Sequence, residues 1–204
     1  MSFCEPVIYV VDDDSDVRES LVSLLGAMGR KVKAFSSAKE FLDSCDFSGS
    51  GCIILDIRMP EMSGLNLQNK LCENNCSLPI IFITGHGDVN SATEAFKKGA
   101  VDFIEKPFSE QQLLDSIDKA VEKSVSEFSH NMQIEKIKER IESLTDREKQ
   151  IMEKIVNAKT NKMIAYELGL SHKTVDFHRS NIMEKMGVNC VVQLTKEVLK
   201  VTDR

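Results

Sequence analysis

Two hydrophobic rhythms divide the chain. Four short apolar runs, Val7-Ile8-Tyr9-Val10-Val11, Cys52-Ile53-Ile54-Leu55, Ile80-Ile81-Phe82-Ile83 and Phe103-Ile104, are continuous rather than alternating, as expected of buried strands. A further strand is expected from Lys31 to Phe35. Between these runs the apolar residues recur at helical spacing. Leu21, Leu24 and Leu25 follow Ser15, and Phe41 and Leu42 follow the Ser36-Ser37 cap. Leu65, Leu67 and Leu71 follow Gly64, and Ala92, Ala95 and Phe96 precede Gly99. Strand and helix thus alternate five times, which predicts an α/β unit with a parallel sheet and helices on both faces.

The rhythm changes after Phe108. From Ser109 to Leu168 there is neither Gly nor Pro. Val121, Val125, Phe128 and Met132 recur at helical spacing, and Ile134, Ile137, Ile141 and Leu144 do so after a phase shift, predicting a helical linker. Such a helix either packs on its own domain or forms a semi-rigid rod that pairs with a second copy. Short helices follow. Thr145 and Glu148 form a capping-box pair ahead of Ile151, Ile155 and Val156, and Asn161 is the expected cap of a helix that stops at Gly169. Ser171 opens a further helix running to Met186 and Gly187. Two helices around a tight turn make a helix-turn-helix candidate.

At 204 residues the chain suits two domains. A hydrophobic share of 42% and a charged share of 28% are ordinary for a soluble protein, and no stretch approaches the roughly 20 apolar residues of a membrane helix. A cytoplasmic protein with no membrane association is expected. The cysteines, Cys4, Cys45, Cys52, Cys72, Cys76 and Cys190, form no CxxC pair and are read as reduced small hydrophobes. The net charge of −6 hides an asymmetry: residues 1–123 carry 12 basic and 20 acidic side chains, the remainder 14 and 12. This is compatible with metal binding in the first part and nucleic-acid binding in the second, although an excess of +2 is too small to argue DNA binding alone.

Chemistry sits at the ends of the apolar runs. Asp12 and Asp13 follow the first, Asp56 the second, Thr84 the third and Lys106 the last. One Asp after an apolar run, taken alone, reads first as a turn or cap, and Asp14 is expected to cap the helix beginning near Ser15. In a parallel sheet, however, strand C-termini share one edge, so these groups converge. Converging carboxylates repel unless a cation neutralises them, and an all-oxygen site suits Mg²⁺. An Asp nucleophile, a divalent cation, a Lys and a hydroxyl are what phosphoryl transfer onto a carboxylate requires. His86, beside this edge, reads first as a solvated loop histidine.

The motifs VVDDD, LDIRMP, ITGHGD and DFIEKPF, in that order over about 120 residues, resemble the receiver domain of two-component response regulators. The resemblance implies a doubly wound (βα)5 receiver in which Asp56 accepts phosphate. Mg²⁺ would be held by Asp13, Asp12, Asp56 and the backbone carbonyl of Arg58, with Thr84 and Lys106 holding phosphoryl oxygens. Phe103 falls at the aromatic switch, lacking the hydroxyl of the commoner Tyr.

The last 60 or so residues, with LTDREKQIM and TNKMIAYELGLSHKTVDFHRSNIMEKMGV, resemble LuxR-type DNA-binding domains, and the pairing resembles FixJ-like transcription factors. The implied layout is a receiver over 1–123, a helical linker over 124–141 and an all-α helix-turn-helix domain over 142–204. Ile164, Leu168, Val175, Ile182 and Met186 are expected in its core. Lys162, Lys173 and Arg179 would neutralise phosphates and His178 would donate to one, while Thr174 lies on the family pattern. Asp176, Phe177 and Ser180 fall where relatives read base edges. Asp176 departs from the basic residue common there and reads alternatively as an i to i+3 partner of Arg179.

The resemblance implies a two-component phosphorelay: a cognate sensor histidine kinase, a homodimer formed on phosphorylation through the face from about Val89 to Ile104, double-stranded promoter DNA, and RNA polymerase as a further partner of an activator. It implies a regulator rather than an enzyme. A phosphatase is disfavoured by Arg58, because the usual aspartyl-phosphatase pattern puts a second acid there. An RNA-binding or protein-only output is the other rival, separable by salt-dependent binding to duplex DNA against RNA.

Overall fold

Strands form where apolar runs can be buried on both faces. These are β1 (Val7–Val11), β3 (Gly51–Asp56), β4 (Ile80–Thr84) and the shorter β5 (Asp102–Glu105), with β2 (Lys31–Phe35) at the edge. The computed structural model describes residues 5–44, 47, 49–85 and 89–202, so Cys4, Cys45 and His86 lie outside the described residues. All pairings are parallel, in the order β2-β1-β3-β4-β5. Alternate residues feed two cores. Tyr9, Val11, Ile53, Leu55 and Phe82 face one, closed by Phe41 of α2 (Ala38–Ser44), Leu67 and Leu71 of α3 (Gly64–Glu73) and Ala95 of α4 (Val89–Lys97). Ile8, Val10, Ile54, Ile81 and Ile83 face the other, closed by Leu21 and Leu25 of α1 (Ser15–Ala27) and Leu113 and Ile117 of α5 (Glu110–Glu142).

Most of the expected helices form, with instructive differences. Asp14 caps α1, accepting from the amides of Asp16 and Val17. In α4 only Ala95 is buried and Phe96 is exposed, because the buried stripe of a two-turn helix is one residue wide here. The chain divides into two compact units, 1–128 and 129–204. Helix α5 is continuous over 33 residues, with Val121 and Val125 in the first unit's core and Ile137 and Ile141 in the second's.

The second unit holds α6 (Asp146–Val156), α7 (Asn161–Leu168), α8 (His172–Met186) and α9 (Val191–Thr202). The capping box of Thr145 and Glu148 is present, as is the Ser171 cap of α8. Asn161 is not a cap. Thr160 takes that position, its side chain accepting from the Met163 amide, because the chain turns helical one residue earlier than an Asn161 cap requires. Gly169 ends α7 at φ 65°, a left-handed conformation that favours glycine and turns the chain toward α8. Ile164, Val175, Ile182 and Met186 are buried, while Leu168 packs against the core half-buried. No helix among the described residues is long and apolar enough to cross a membrane.

Candidate functional site

Strand order reverses between β1 and β3, and ligand sites of doubly wound sheets lie beyond the strand ends at such reversals. Val11 pairs with Leu55, so the next residues, Asp12 and Asp56, emerge side by side. The strand end carrying Asp56 is packed directly by the start of α3: a Cβ on Gly64 would lie 2.2 Å from the Asp56 carbonyl oxygen. Only glycine permits that approach.

Lys106 joins the two carboxylates, its Nζ donating to Asp12 Oδ2 at 2.8 Å and to Asp56 Oδ1 at 3.3 Å. The remaining oxygens are held by backbone, Asp12 Oδ1 by the Asp14 amide at 2.9 Å and Asp56 Oδ2 by the Arg58 amide at 2.6 Å. Arg18 Nη1 donates to the Asp12 carbonyl at 2.7 Å, and the Lys106 amide to the Thr84 carbonyl at 2.8 Å. A cis peptide links Lys106 to Pro107. Asp12, Asp56 and Thr84 are buried, Asp13 and Arg58 exposed, and all five line one recess of about 240 Å³ with Asp14, Gly85 and Lys106. Phe103 does not line it. That ring packs half-buried against Phe82, centroids 6.4 Å apart, in one of the two sheet cores.

One ammonium therefore serves two carboxylates. Burial pushes the Asp56 pKa above its ordinary value; Lys106 opposes this and the Asp12 charge adds to it. Burial works to lower Lys106, but the hydrogen bond and charge of Asp12, and then Asp56, leave it raised. The recess keeps an excess negative charge surrounded by oxygen donors, which fits a hard divalent cation. Among the described residues no three His, Cys, Asp or Glu side chains are grouped to hold an ion by themselves. Carbonyl and water oxygens would complete the shell, as Mg²⁺ usually requires.

In the second unit, Lys173, Thr174, Asp176, Phe177, His178, Arg179 and Ser180 all lie on α8 and Lys162 on α7. Lys162, Lys173, Asp176, Phe177 and Ser180 are exposed; Thr174, His178 and Arg179 are half-buried. The Thr174 hydroxyl hydrogen-bonds that of Ser171 at 2.8 Å, within the helix cap. His178 Nδ1 is buried with no partner among the described residues, which favours the tautomer with the proton on Nε2. Among the described residues Asp176 forms no ion pair with Arg179; its Oδ1 accepts from Asn161 Nδ2 at 2.6 Å.

Sequence periodicity missed the contacts that cross between helices. Lys185 Nζ donates to the buried Glu148 at 2.7 Å, Arg147 Nη2 to the Leu168 carbonyl at 2.6 Å and Arg140 Nη1 to the Met186 carbonyl at 2.9 Å. In the first unit, Gln68 is buried with its amide on the Ala95 carbonyl at 3.1 Å, tying α3 to the end of α4. A Gln inside the apolar face of α3 was the available signal. Cys52, Cys72, Cys76 and Cys190 are free thiols, and burial pushes Cys52 up to about 12.

Residues 8–118 match the family described as response regulator receiver domain, and residues 142–198 the family described as bacterial regulatory proteins, luxR family. The chain is 46% identical to the response regulator protein TmoT of Ectopseudomonas mendocina, over 98% of this chain and 89% of that one. It is 40% identical to the transcriptional regulatory protein FixJ of Rhizobium meliloti, over 94% of each. Among solved structures, the response regulator StyR superposes with a TM-score of 0.90 at 40% identity, covering 97% of this chain and all of that one. Full-length FixJ from B. japonicum gives 0.58 at 37% identity, covering 98% of each. A receiver with a lysine-bridged acidic edge, followed by a helix-turn-helix unit, defines a two-component response regulator, a DNA-binding transcription factor rather than an enzyme. Within that class the chain belongs to the NarL/FixJ family, whose receiver Asp and Lys network is consistent with switching by phosphorylation.

Proposed function

We propose that Asp56 accepts a phosphoryl group from a cognate sensor histidine kinase, and that the phosphorylated chain dimerises and binds promoter DNA as an activator, engaging RNA polymerase. The observation that carries this reading is the Lys106 ammonium lying between Asp12 and Asp56 at the sheet edge. Asp56 Oδ1 attacks phosphorus as the P–N bond to the kinase imidazole breaks, and the imidazole leaves carrying its proton. Lys106 shifts its hydrogen bond to a phosphoryl oxygen, and the Thr84 hydroxyl binds another. Asp12, Asp13, Asp56 and the Arg58 carbonyl would hold Mg²⁺, which when bound would supply positive charge to the transferring group.

Thr84 then draws toward the phosphoryl group and Phe103, packed on the neighbouring Phe82, turns inward, altering the face from α4 to β5. That face carries exposed Val89 and Phe96, which a second copy would cover. A near-complete change of population needs roughly 5 kcal/mol of differential stabilisation. On DNA, α8 enters the major groove: Lys162, Lys173 and Arg179 meet phosphates, His178 Nε2 and Thr174 add backbone contacts, and Asp176, Phe177 and Ser180 face bases. The working parts on this reading are a receiver over 1–123, a helical linker over 124–141 and a DNA-binding domain over 142–204.

The test is mass measurement and light scattering on wild type and Asp56→Asn after Mg²⁺ and a small phosphodonor, with duplex binding followed in parallel. Wild type should gain one phosphoryl, dimerise and bind DNA more tightly, and Asp56→Asn should do none of these. A wild type that is dimeric and binds equally well without phosphate overturns the switch.

A further inference from the structure

A carboxylate on a DNA-facing helix needs an account, because it repels phosphate and rotates freely unless something holds it. Asp176 is held. Asn161 Nδ2, at the first residue of α7, donates to Asp176 Oδ1 at 2.6 Å across 15 residues of sequence. Capping does not require Asn161, since Thr160 fills that role. A neutral amide orients the carboxylate without cancelling its charge, as a lysine or arginine partner would. The Asp176 side chain belongs to an exposed residue and its Oδ2 accepts no hydrogen bond among the described residues, so the fixed group keeps one oxygen for a partner.

We propose that Asn161 and Asp176 form a base reader built from both helices of the helix-turn-helix, in which Asn161 positions Asp176 to accept from a cytosine amino group in each half-site. This rests on the reading of α8 as the helix that enters the major groove. The choice of cytosine follows from the donor pattern of the groove. Guanine and thymine present acceptors there, which a carboxylate repels. Adenine presents an amino group beside N7, whose lone pair would oppose the second lone pair of the acid. Cytosine presents its amino group beside a C–H. Asn161 is thus a positioning residue and Asp176 the reading one, an assignment that places part of the specificity on α7.

The experiment selects sites from a randomised duplex library with the full-length phosphorylated chain, then measures affinities for duplexes differing at single positions. Wild type should prefer cytosine at one position per half-site by about tenfold. Asp176→Asn should abolish that preference, and Asn161→Ala or Asn161→Ser should reduce it about three- to tenfold there and nowhere else, leaving binding to unrelated duplexes unchanged. If the Asn161 variants keep the wild-type preference while Asp176→Asn loses it, the positioning role is wrong. If all keep it while Lys173→Ala and Arg179→Ala weaken binding, α8 meets DNA but the pair does not read it. If those two also bind like wild type, the recognition-helix reading itself falls along with the proposal.

Discussion

Both units bury a carboxylate beside a lysine, and the two acids respond in opposite directions. At the receiver edge one ammonium is divided between Asp12 and Asp56, and burial leaves the Asp56 pKa raised. In the helical unit Lys185 serves Glu148 alone, and the same carboxylate also accepts from the Thr145 amide and hydroxyl at 2.9 and 3.0 Å. The Lys185 hydrogen bond, with those of Thr145, outweighs burial and takes Glu148 down to about 2. The residue types are alike; the charge count differs. A carboxylate whose charge is matched by a lysine of its own is a structural staple, whereas one left with excess negative charge in an open recess awaits a cation or a reaction.

Removing the matched acid should produce the largest stability effect. Glu148→Ala unties the start of α6 and leaves Lys185 without its partner. Because the Lys185 side chain is 37% exposed, the cost falls at the low end for a broken buried pair, about 3 kcal/mol. Hydrogen exchange of α6 amides in the full-length chain reads this directly. An unchanged α6 would mean that the pair contributes nothing to the fold.

Acid titrates the same contact more gently. Glu148 is depressed from its ordinary value of 4.5 to about 2, so its contribution is complete above about pH 4.5 and is lost as pH falls toward 2. Urea unfolding at pH 6 and pH 3 should show a loss assignable to this group of about 2 kcal/mol, absent in Glu148→Gln. Equal acid sensitivity in both chains would place the titrating group elsewhere.

At the unmatched site the sign should reverse. Asp12→Asn relieves the repulsion with Asp56 and should stabilise the receiver by about 1 kcal/mol, as removal of strained functional groups commonly does. It should also remove the rise in melting temperature that Mg²⁺ gives wild type. Destabilisation would show that the Lys106 hydrogen bond outweighs the repulsion and that both sites are staples.

The receiver edge was legible because its groups terminate buried strands, and a strand's end is set by local sequence. Asp12, Asp56 and Thr84 each follow an apolar run directly and Lys106 follows one after a single residue, so knowing that the strands are parallel is enough to bring them together. The helical unit was legible in its caps and core for the same reason. Contacts such as Lys185 to Glu148, Arg147 to Leu168 and Asn161 to Asp176 depend on how helices cross, which periodicity does not specify. Phe96 shows the converse: its spacing suits a buried face, yet the packed neighbours reach only Ala95.

Asp176 supplies a third acid for the comparison, exposed and held by a neutral amide rather than by a lysine. Such a hydrogen bond in water contributes little to folding, so Asn161→Ala should shift stability by less than about 0.5 kcal/mol. Thr160→Ala, one residue earlier, removes the cap of α7 and should cost about 1 kcal/mol. Chemical denaturation of the two variants under identical conditions separates capping from holding an acid. If Asn161→Ala proves the more damaging, Asn161 belongs with Glu148 among the staples, and its bond to Asp176 is part of the fold rather than of recognition.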